Sequence, residues 1–160
     1  MAHDGSLASL IEDWIVTQVA ALAPFADGLV EPFRGTTVQS GEQLIDEMTA
    51  NRNPYAAVLF EGDTPRELEE GQQGYEPTFG IYIVVQNERE GTARRGDGTT
   101  PGTNLIRDLM RNALHDKEPA LGVNGYYADR TEFKGVKVVF QRRDAFILRA
   151  EVSVRESPSA

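Results

Sequence analysis

Strict alternation of apolar and polar side chains near the end of the chain is the feature that most constrains its fold. Apolar residues occupy every second position from 146 to 154, and from position 149 onward the positions between them are polar or charged. The apolar set is Phe146, Leu148, Ala150, Val152 and Val154, and the polar set is Arg149, Glu151, Ser153 and Arg155. A two-residue period predicts a strand with one covered face and one solvated face. Such a strand needs neighbours, so the chain must build a sheet.

Four earlier segments predict further strands. Ala56–Phe60 is a continuous apolar run, which is typical of a central strand, and Thr78–Gln86 is rich in β-branched and aromatic residues. These two runs can pair as a hairpin. A short extended piece is expected at Leu29–Phe33. The strand before the last one has three apolar residues that we expect to face one way, namely Val136, Val138 and Phe140.

Helical spacing of three and four residues predicts the helices. The first is expected to begin at Ser6 as its cap and to end before Pro24, with one apolar face made of Leu7, Leu10, Ile11, Trp14, Ile15, Val19 and Leu22. The capping pattern of Ser40 and Gln43 predicts a second helix. Thr103 is expected to cap a third, with one apolar face made of Leu105, Ile106, Leu109, Met110, Ala113 and Leu114.

Polar, glycine-rich stretches separate these elements. Long loops are expected at Glu61–Glu76 and Asn87–Gly102, and a looser stretch at Leu121–Thr131. No repeat and no linker divides the chain, so residues 1–160 are expected to form one domain. The order of elements predicts an α+β fold, a mostly antiparallel mixed sheet with helices packed on one face.

The charge distribution excludes one class of partner and suggests another. With 16 basic and 25 acidic residues the net charge is −9, which is unsuited to wrapping a nucleic-acid backbone. Residues 61–76 carry a net charge of −5, whereas residues 130–143 carry +4. The two segments can pair between copies, head to tail, or each can face solvent alone. The charges by themselves leave both arrangements open.

Residue patterns for catalysis or cofactor binding are weak. The chain has no cysteine, and its two histidines, His3 and His115, belong to no metal-binding spacing. His115 is expected in a structural role at the end of the third helix, where a positive charge suits the helix dipole. Neither a serine-nucleophile motif nor a phosphate-binding loop occurs. We therefore predict no catalytic residue, no metal and no cofactor.

Several segments together resemble one family. They are the opening amphipathic helix, the strands within Pro54–Gly62 and Phe79–Val85, the Gly- and Arg-rich segment that leads into the third helix, and the two closing strands. Together they resemble the tail-terminator proteins of Mu-like phages and prophages, which are related in fold and role to the lambda-type tail terminators. The resemblance covers nearly the whole chain.

The resemblance implies a structural protein of the virion, assembled in the host cytoplasm and located in the tail at the head–tail junction. It implies a hexameric ring that caps the tail tube and contacts the head connector. DNA would pass through the lumen without specific binding, and no membrane is involved. The interface residues that we predict for such a ring are Arg89, Arg94, Arg95, Glu67, Glu69, Glu70, Arg142 and Arg143.

Two alternatives stay open. The chain can be another head–tail connector or a tail-tube component, since tube proteins polymerise into long stacks whereas a terminator closes a single ring. It can also be a small metal-assisted hydrolase that uses carboxylates of residues 61–76, which requires several acidic side chains to converge on one cation.

Overall fold

The computed structural model describes residues 4–33, 54–67, 73–86, 102–142 and 145–159. The predicted helix beginning at Ser40 lies outside these ranges. The elements in chain order are α1 (Leu7–Ala20), a 3-10 turn (Ala23–Phe25), β1 (Leu29–Pro32), β2 (Tyr55–Glu67), β3 (Gln73–Gln86), α2 (Thr103–Leu114), β4 (Gly122–Val123), β5 (Tyr126–Arg142) and β6 (Ala145–Pro158).

The strands form one six-stranded sheet in the order β1-β2-β3-β6-β5-β4. β1 runs parallel to β2, and the other neighbouring pairs are antiparallel. The sheet curls into a half-barrel. The predicted α+β class and the mostly antiparallel mixed sheet are confirmed.

The main core lies between the two described helices and one face of the sheet. The apolar positions of the alternation that predicted β6 form part of this core, namely Leu148, Ala150, Val152 and Val154. From the helices, Ile11, Ile15, Val19, Ile106, Met110 and Leu114 join it. Burying side chains of this size stabilises the fold by about 1.5–3 kcal/mol each. Among the described residues, both helices pack on this one face, as predicted.

A smaller apolar cluster lies on the opposite face of the sheet. Its buried members are Tyr55, Ala57, Val84, Ala145 and Ile147. They alternate along β2, β3 and β6 with residues of the main core. The sheet therefore buries apolar side chains on both faces at the end where Tyr55, Val84 and Ile147 pair, and only part of its second face is polar.

The two described helices, α1 and α2, have different N-caps. The Ser6 Oγ accepts a hydrogen bond from the Ser9 amide at 3.2 Å, which confirms the predicted cap of α1. For α2 the prediction was wrong, because Gly102 is the N-cap and Thr103 is the first, buried helical residue. Leu105 is 48% exposed, so the apolar face of α2 is narrower than its leucines suggested.

The predicted loop at 61–76 is largely strand. β2 continues to Glu67 and β3 begins at Gln73, and the two pair from Tyr55 opposite Val84 to Glu67 opposite Gln73, with one bulge after Phe60. Backbone pairing needs no apolar side chains, which is why polar composition was misleading here. The residues of β3 before Thr78 do not pair with β6, so Asp63–Glu67 and Gln73–Pro77 form a two-stranded extension, called here the β2–β3 arm.

β5 also departs from its predicted pattern. It begins at Tyr126, within the stretch predicted to be loose, and β4 pairs with its first two residues. Register shifts follow Ala128, Phe133 and Val138. The third shift turns Phe140 to the small cluster, whereas Val136 packs on the main core. The prediction that Val136, Val138 and Phe140 face one way was therefore wrong.

Candidate assembly surfaces

A polar network crosses the second face of the sheet. The Arg149 guanidinium on β6 donates two hydrogen bonds to Glu61 Oε1 on β2, at 2.7 and 3.1 Å. It also donates to Glu151 at 3.1 Å, and the Tyr82 hydroxyl donates to Glu61 Oε2 at 2.8 Å. The hydrogen bond to Glu61 is the main cause that raises the pKa of Arg149. Burial is the main cause that raises the pKa of Tyr82, and the hydrogen bond to Glu61 is the second.

Two backbone features let Glu61 reach so far. A bulge between Phe60 and Gly62 leaves Glu61 without a partner on β3. The side chain then passes over Gly80, where an added Cβ would overlap its carboxylate. On the other side of β2, Glu12 of α1 accepts a hydrogen bond from the Phe60 amide at 3.1 Å. The bulge is thus stabilised from the helix side as well.

The β2–β3 arm is fastened to the end of β6. Arg66 donates to the Glu156 carbonyl at 2.6 Å and to the Ser157 hydroxyl at 3.4 Å, and its Nε is buried without a partner. Glu156 is half-buried, and burial followed by the nearby charge of Asp63 raises its pKa. The arm is therefore a held element of the fold rather than an independent hairpin.

The segment after α2 is fixed against β5. Arg130 forms ion pairs with Asp116 and with Glu118, the latter at 3.0 Å. These contacts lower the pKa of Asp116, mainly through the hydrogen bond from Arg130. The Nδ1 atom of His115 accepts a hydrogen bond from the Phe133 amide at 3.1 Å. His115 thus has a structural role, as predicted, and joins the end of α2 to β5 by a hydrogen bond.

An open cleft of about 180 Å³ lies between the arm, the end of α2 and the strands β5 and β6. Its charged lining is mixed, with Glu76, Asp116 and Glu132 facing Arg130 and Arg155. In the described ranges no group of three or more His, Asp or Glu residues is placed to hold a metal ion. The described part of the chain also contains no helix long and apolar enough to cross a membrane.

Within the described ranges, most of β5 has no strand on its outer side. The segment 116–121 covers the outer edge of β5 as far as Thr131, and His115 covers the Phe133 amide. From Lys134 to Phe140 no described residue pairs with that edge, and we call this stretch the free edge. Val138 and Val139 lie on it with 41% and 42% of their surface exposed. Lys134 and Lys137 are exposed as well.

The predicted interface residues fall mostly outside the described part. Glu67 is the last residue of β2 and Arg142 the last of β5, and their backbones are described. The other six lie outside the described residues: Arg89, Arg94, Arg95, Glu69, Glu70 and Arg143. All eight therefore stay predictions.

The predicted charge pairing between copies draws on fewer residues than the sequence suggested. Glu61 and Arg130 belong to the two opposed segments, but each forms ion pairs within its own chain. Arg66 points into the fold as well. Asp63, Lys134 and Lys137 have no cationic or anionic partner among the described residues. The exposed valines were missed because alternation predicted only that Val138 shares a face with Val136 and Phe140, and no sequence pattern marked the bulge at Val139.

Comparison with known proteins gives a likeness of fold. No protein-family model and no curated protein matches the chain. One similar solved chain belongs to a structure described as "Virion of native gene transfer agent (GTA) particle", with a TM-score of 0.58, 10% sequence identity, and coverage of 94% of this chain and 97% of that chain. A second solved structure, which carries no functional name, has a TM-score of 0.54 and 10% identity over 96% of this chain and 94% of that one.

Proposed function

We propose that this chain is a structural protein of a phage or phage-like particle, and that it acts there as a tail terminator. In this role six copies close into a ring on the end of the tail tube and present a surface to the head connector. The observation that carries the proposal is the shared fold with a chain of the gene transfer agent virion, which extends over nearly the full length of both chains. The resemblance of the sequence to tail terminators supports the finer assignment.

Surface chemistry supports a role in assembly. The β2–β3 arm projects beyond the core yet is held by Arg66, and the free edge of β5 exposes two adjacent valines. Exposed apolar residues that are close together mark contact sites more often than scattered ones do. A protein that works by contact with neighbours needs such surfaces and needs no reactive centre.

Acidity supports a place beside DNA without binding to it. The net charge of −9 repels phosphates, so a ring of such chains can surround passing DNA without retaining it. The head–tail junction is a position where this property is useful. A location in the virion tail therefore forms part of the proposal.

The hydrolase alternative receives less support. Glu61, the first acid of the segment on which it relies, is paired with Arg149. Asp63 lies opposite Pro77, and Glu76 lies opposite Thr64 in the next pair of the ladder. Successive pairs point to opposite faces of a sheet, so the two acids lie on opposite faces of the arm. A cation site needs acids that converge, and these diverge.

The proposal is tested by the mass and shape of the purified protein. Native mass spectrometry and negative-stain electron microscopy are expected to find closed rings of six copies. Added to polymerising tail-tube protein from the same genome, the rings are expected to stop tube growth and to appear at tube ends. Long stacks of the chain alone would support the tube-component alternative, and rings that bind only the portal end of heads would support the connector alternative. A monomer at all concentrations would overturn the proposal.

A further inference from the structure

The free edge of β5 has the composition of a contact surface. Val138 and Val139 are adjacent and both exposed: Val138 is paired with Leu148 of β6, and the register shift that follows leaves Val139 without a partner on β6. Lys134 and Lys137 lie on the same stretch and have no acidic partner in the described part of the chain. Lys137 lies opposite Arg149 and Val138 opposite Leu148, so these two side chains leave β5 on opposite faces of the sheet. A partner that contacts both must wrap around the edge, and the cations and exposed valines favour one that combines an apolar surface with acids.

The free edge is not built to accept an added strand. Two bulges interrupt it, Gly135 adopts a φ of 98°, and two lysines lie along it. Bulges and lysines are the devices by which natural sheets prevent edge-to-edge pairing. A partner must therefore bind this surface through side chains rather than by extending the sheet.

The β2–β3 arm carries a surface with the matching chemistry. Tyr75 is 38% exposed and lies opposite Pro65, and two residues away along β2 the exposed Asp63 lies opposite Pro77. Residues two apart on a strand share a face, so Asp63, Pro65 and Tyr75 form one exposed surface, called here the arm face. It combines an aromatic ring and a proline with an unpaired acid.

The arm face lies away from the free edge of its own chain. Arg66 fastens the arm to β6 at Glu156, whereas Val138 of the free edge pairs with Leu148, eight residues or about 25 Å along β6. Lys134 is closer along the strand direction, but strands β3 and β6 separate β5 from β2, which carries Asp63 and Pro65. We therefore assign the contact to different copies.

We infer that the arm face of one copy docks on the free edge of the next, with Asp63 facing Lys134 and Lys137, and with Tyr75 and Pro65 covering Val138 and Val139. The inference rests on the proposed ring and names the contact that closes it. Two different surfaces of one chain are joined, so the interface is head to tail, which is the arrangement that generates rings. The fastening of the arm by Arg66 means that little conformational freedom is lost on docking.

Charge exchange tests this contact. The arm variant Asp63→Lys and the edge variant Lys134→Glu/Lys137→Glu are each expected to assemble at least about tenfold more weakly than the unmodified chain, because each puts like charges together. An equimolar mixture is expected to regain assembly, because the acidic edge of one variant then meets the basic arm of the other. Asp27→Lys and Lys117→Glu, at exposed positions outside both surfaces, are the matched controls and are expected to assemble normally.

Analytical ultracentrifugation and native mass spectrometry of each sample give the result. Recovery in the mixture, with alternating copies of the two variants, supports the contact. Unchanged assembly of either variant, or loss in both without recovery in the mixture, overturns it while the proposed ring stands. An unmodified chain that never assembles overturns both. Circular dichroism of the variants identifies any that fail to fold, and for those Asp63→Asn and Lys134→Gln/Lys137→Gln are used, with weaker assembly again expected and unchanged assembly overturning the contact.

Discussion

The carboxylate of Glu61 and the guanidinium of Arg149 lie 2.7 Å apart although strand β3 separates the strands that carry them. The contact requires the bulge that frees Glu61 from its register and the glycine at position 80 that lets its side chain pass. Both side chains are mostly buried, with 22% and 16% exposed. Glu61 and Arg149 therefore tie three strands together at the point where the arm leaves the sheet.

Gly80→Ala is expected to lower the free energy of unfolding by about 1–3 kcal/mol, because the new methyl group overlaps the Glu61 carboxylate and the Tyr82 ring. Urea denaturation followed by circular dichroism measures the loss. In a Glu61→Ala background the same substitution is expected to cost less, since the main obstacle is gone. An equal cost in both backgrounds would show that Glu61 does not occupy the space above Gly80.

Arg149→Met is expected to destabilise the fold more than Glu61→Gln does. The first leaves two carboxylates, Glu61 and Glu151, without their cation, and we expect a loss of about 2 kcal/mol. The second leaves Arg149 its bond to Glu151 and keeps an acceptor for the Tyr82 hydroxyl, and we expect about 1 kcal/mol. Chemical denaturation of both single variants and of the double variant measures the coupling. Simple additivity of the two losses would contradict a direct interaction.

Glu12→Gln is expected to change the dependence of stability on pH. Burial raises the pKa of Glu12 above its ordinary value of 4.5 despite the hydrogen bond from the Phe60 amide. The folded state then binds a proton more strongly than the unfolded state. The contribution of Glu12 to the unfolding free energy therefore falls as the pH rises from the ordinary pKa through the raised pKa of the folded state. Glutamine keeps an acceptor and carries no charge.

Urea denaturation at pH 7 and pH 4 compares this variant with the unmodified chain. The unfolding free energy of Glu12→Gln, relative to the unmodified protein, is expected to be higher at pH 7 than at pH 4. Glu156 also has a raised pKa, but it is present in both proteins and its effect cancels. Glu12→Ala is the control that removes the acceptor, and it is expected to be less stable at both pH values. A difference for Glu12→Gln that does not change with pH would contradict the raised pKa.

Arg66→Met is expected to loosen the arm while the core stays intact. Methionine keeps an apolar side chain but cannot donate to the Glu156 carbonyl or the Ser157 hydroxyl. Hydrogen exchange measured by mass spectrometry is expected to accelerate about tenfold at the arm amides, because local opening becomes easier by about the value of one charged hydrogen bond. Peptides from α1 and α2 serve as the internal control. Uniform acceleration throughout the chain would indicate global destabilisation instead.

Periodicity was sufficient to predict the elements that bury apolar side chains. The three- and four-residue spacing of α1 and the alternation in β6 each reflect one face against the core, and Ile11, Ile15, Leu148 and Val152 lie there as predicted. Leu105 shows where this reasoning fails, because the sequence pattern is the same whether a leucine next to the apolar stripe of a helix is packed or exposed. The strands of the arm were not predicted for a related reason, since backbone pairing stabilises a polar strand without leaving a pattern in the sequence.

The candidate surfaces depend on features that no short-range pattern encodes. The pairing of Glu61 with Arg149 joins residues 88 positions apart in the sequence, and it determines which acid of the 61–76 segment forms an ion pair with this arginine. Charge counting treats Glu61 and Asp63 alike, although only Asp63 stays without a cationic partner in the described residues. The bulge that exposes Val139 is set by the register of β5 on β6. Such choices are made by tertiary contacts.

Val138→Thr/Val139→Thr separates assembly from folding. Threonine has nearly the same shape as valine, and both positions are about two-fifths exposed, so the unfolding free energy of the dissociated chain is expected to change by less than about 0.5 kcal/mol. Assembly is expected to weaken, because the docked surface loses apolar contact and gains hydroxyl groups that must be desolvated. Val154→Thr is the control for folding: Val154 is fully buried in the main core, and its substitution is expected to cost about 1–3 kcal/mol. Denaturation at low protein concentration and sedimentation at high concentration give the two readouts. If the double variant assembled like the unmodified chain, Val138 and Val139 would be solvent-exposed in the ring, and the free edge would have no part in closing it.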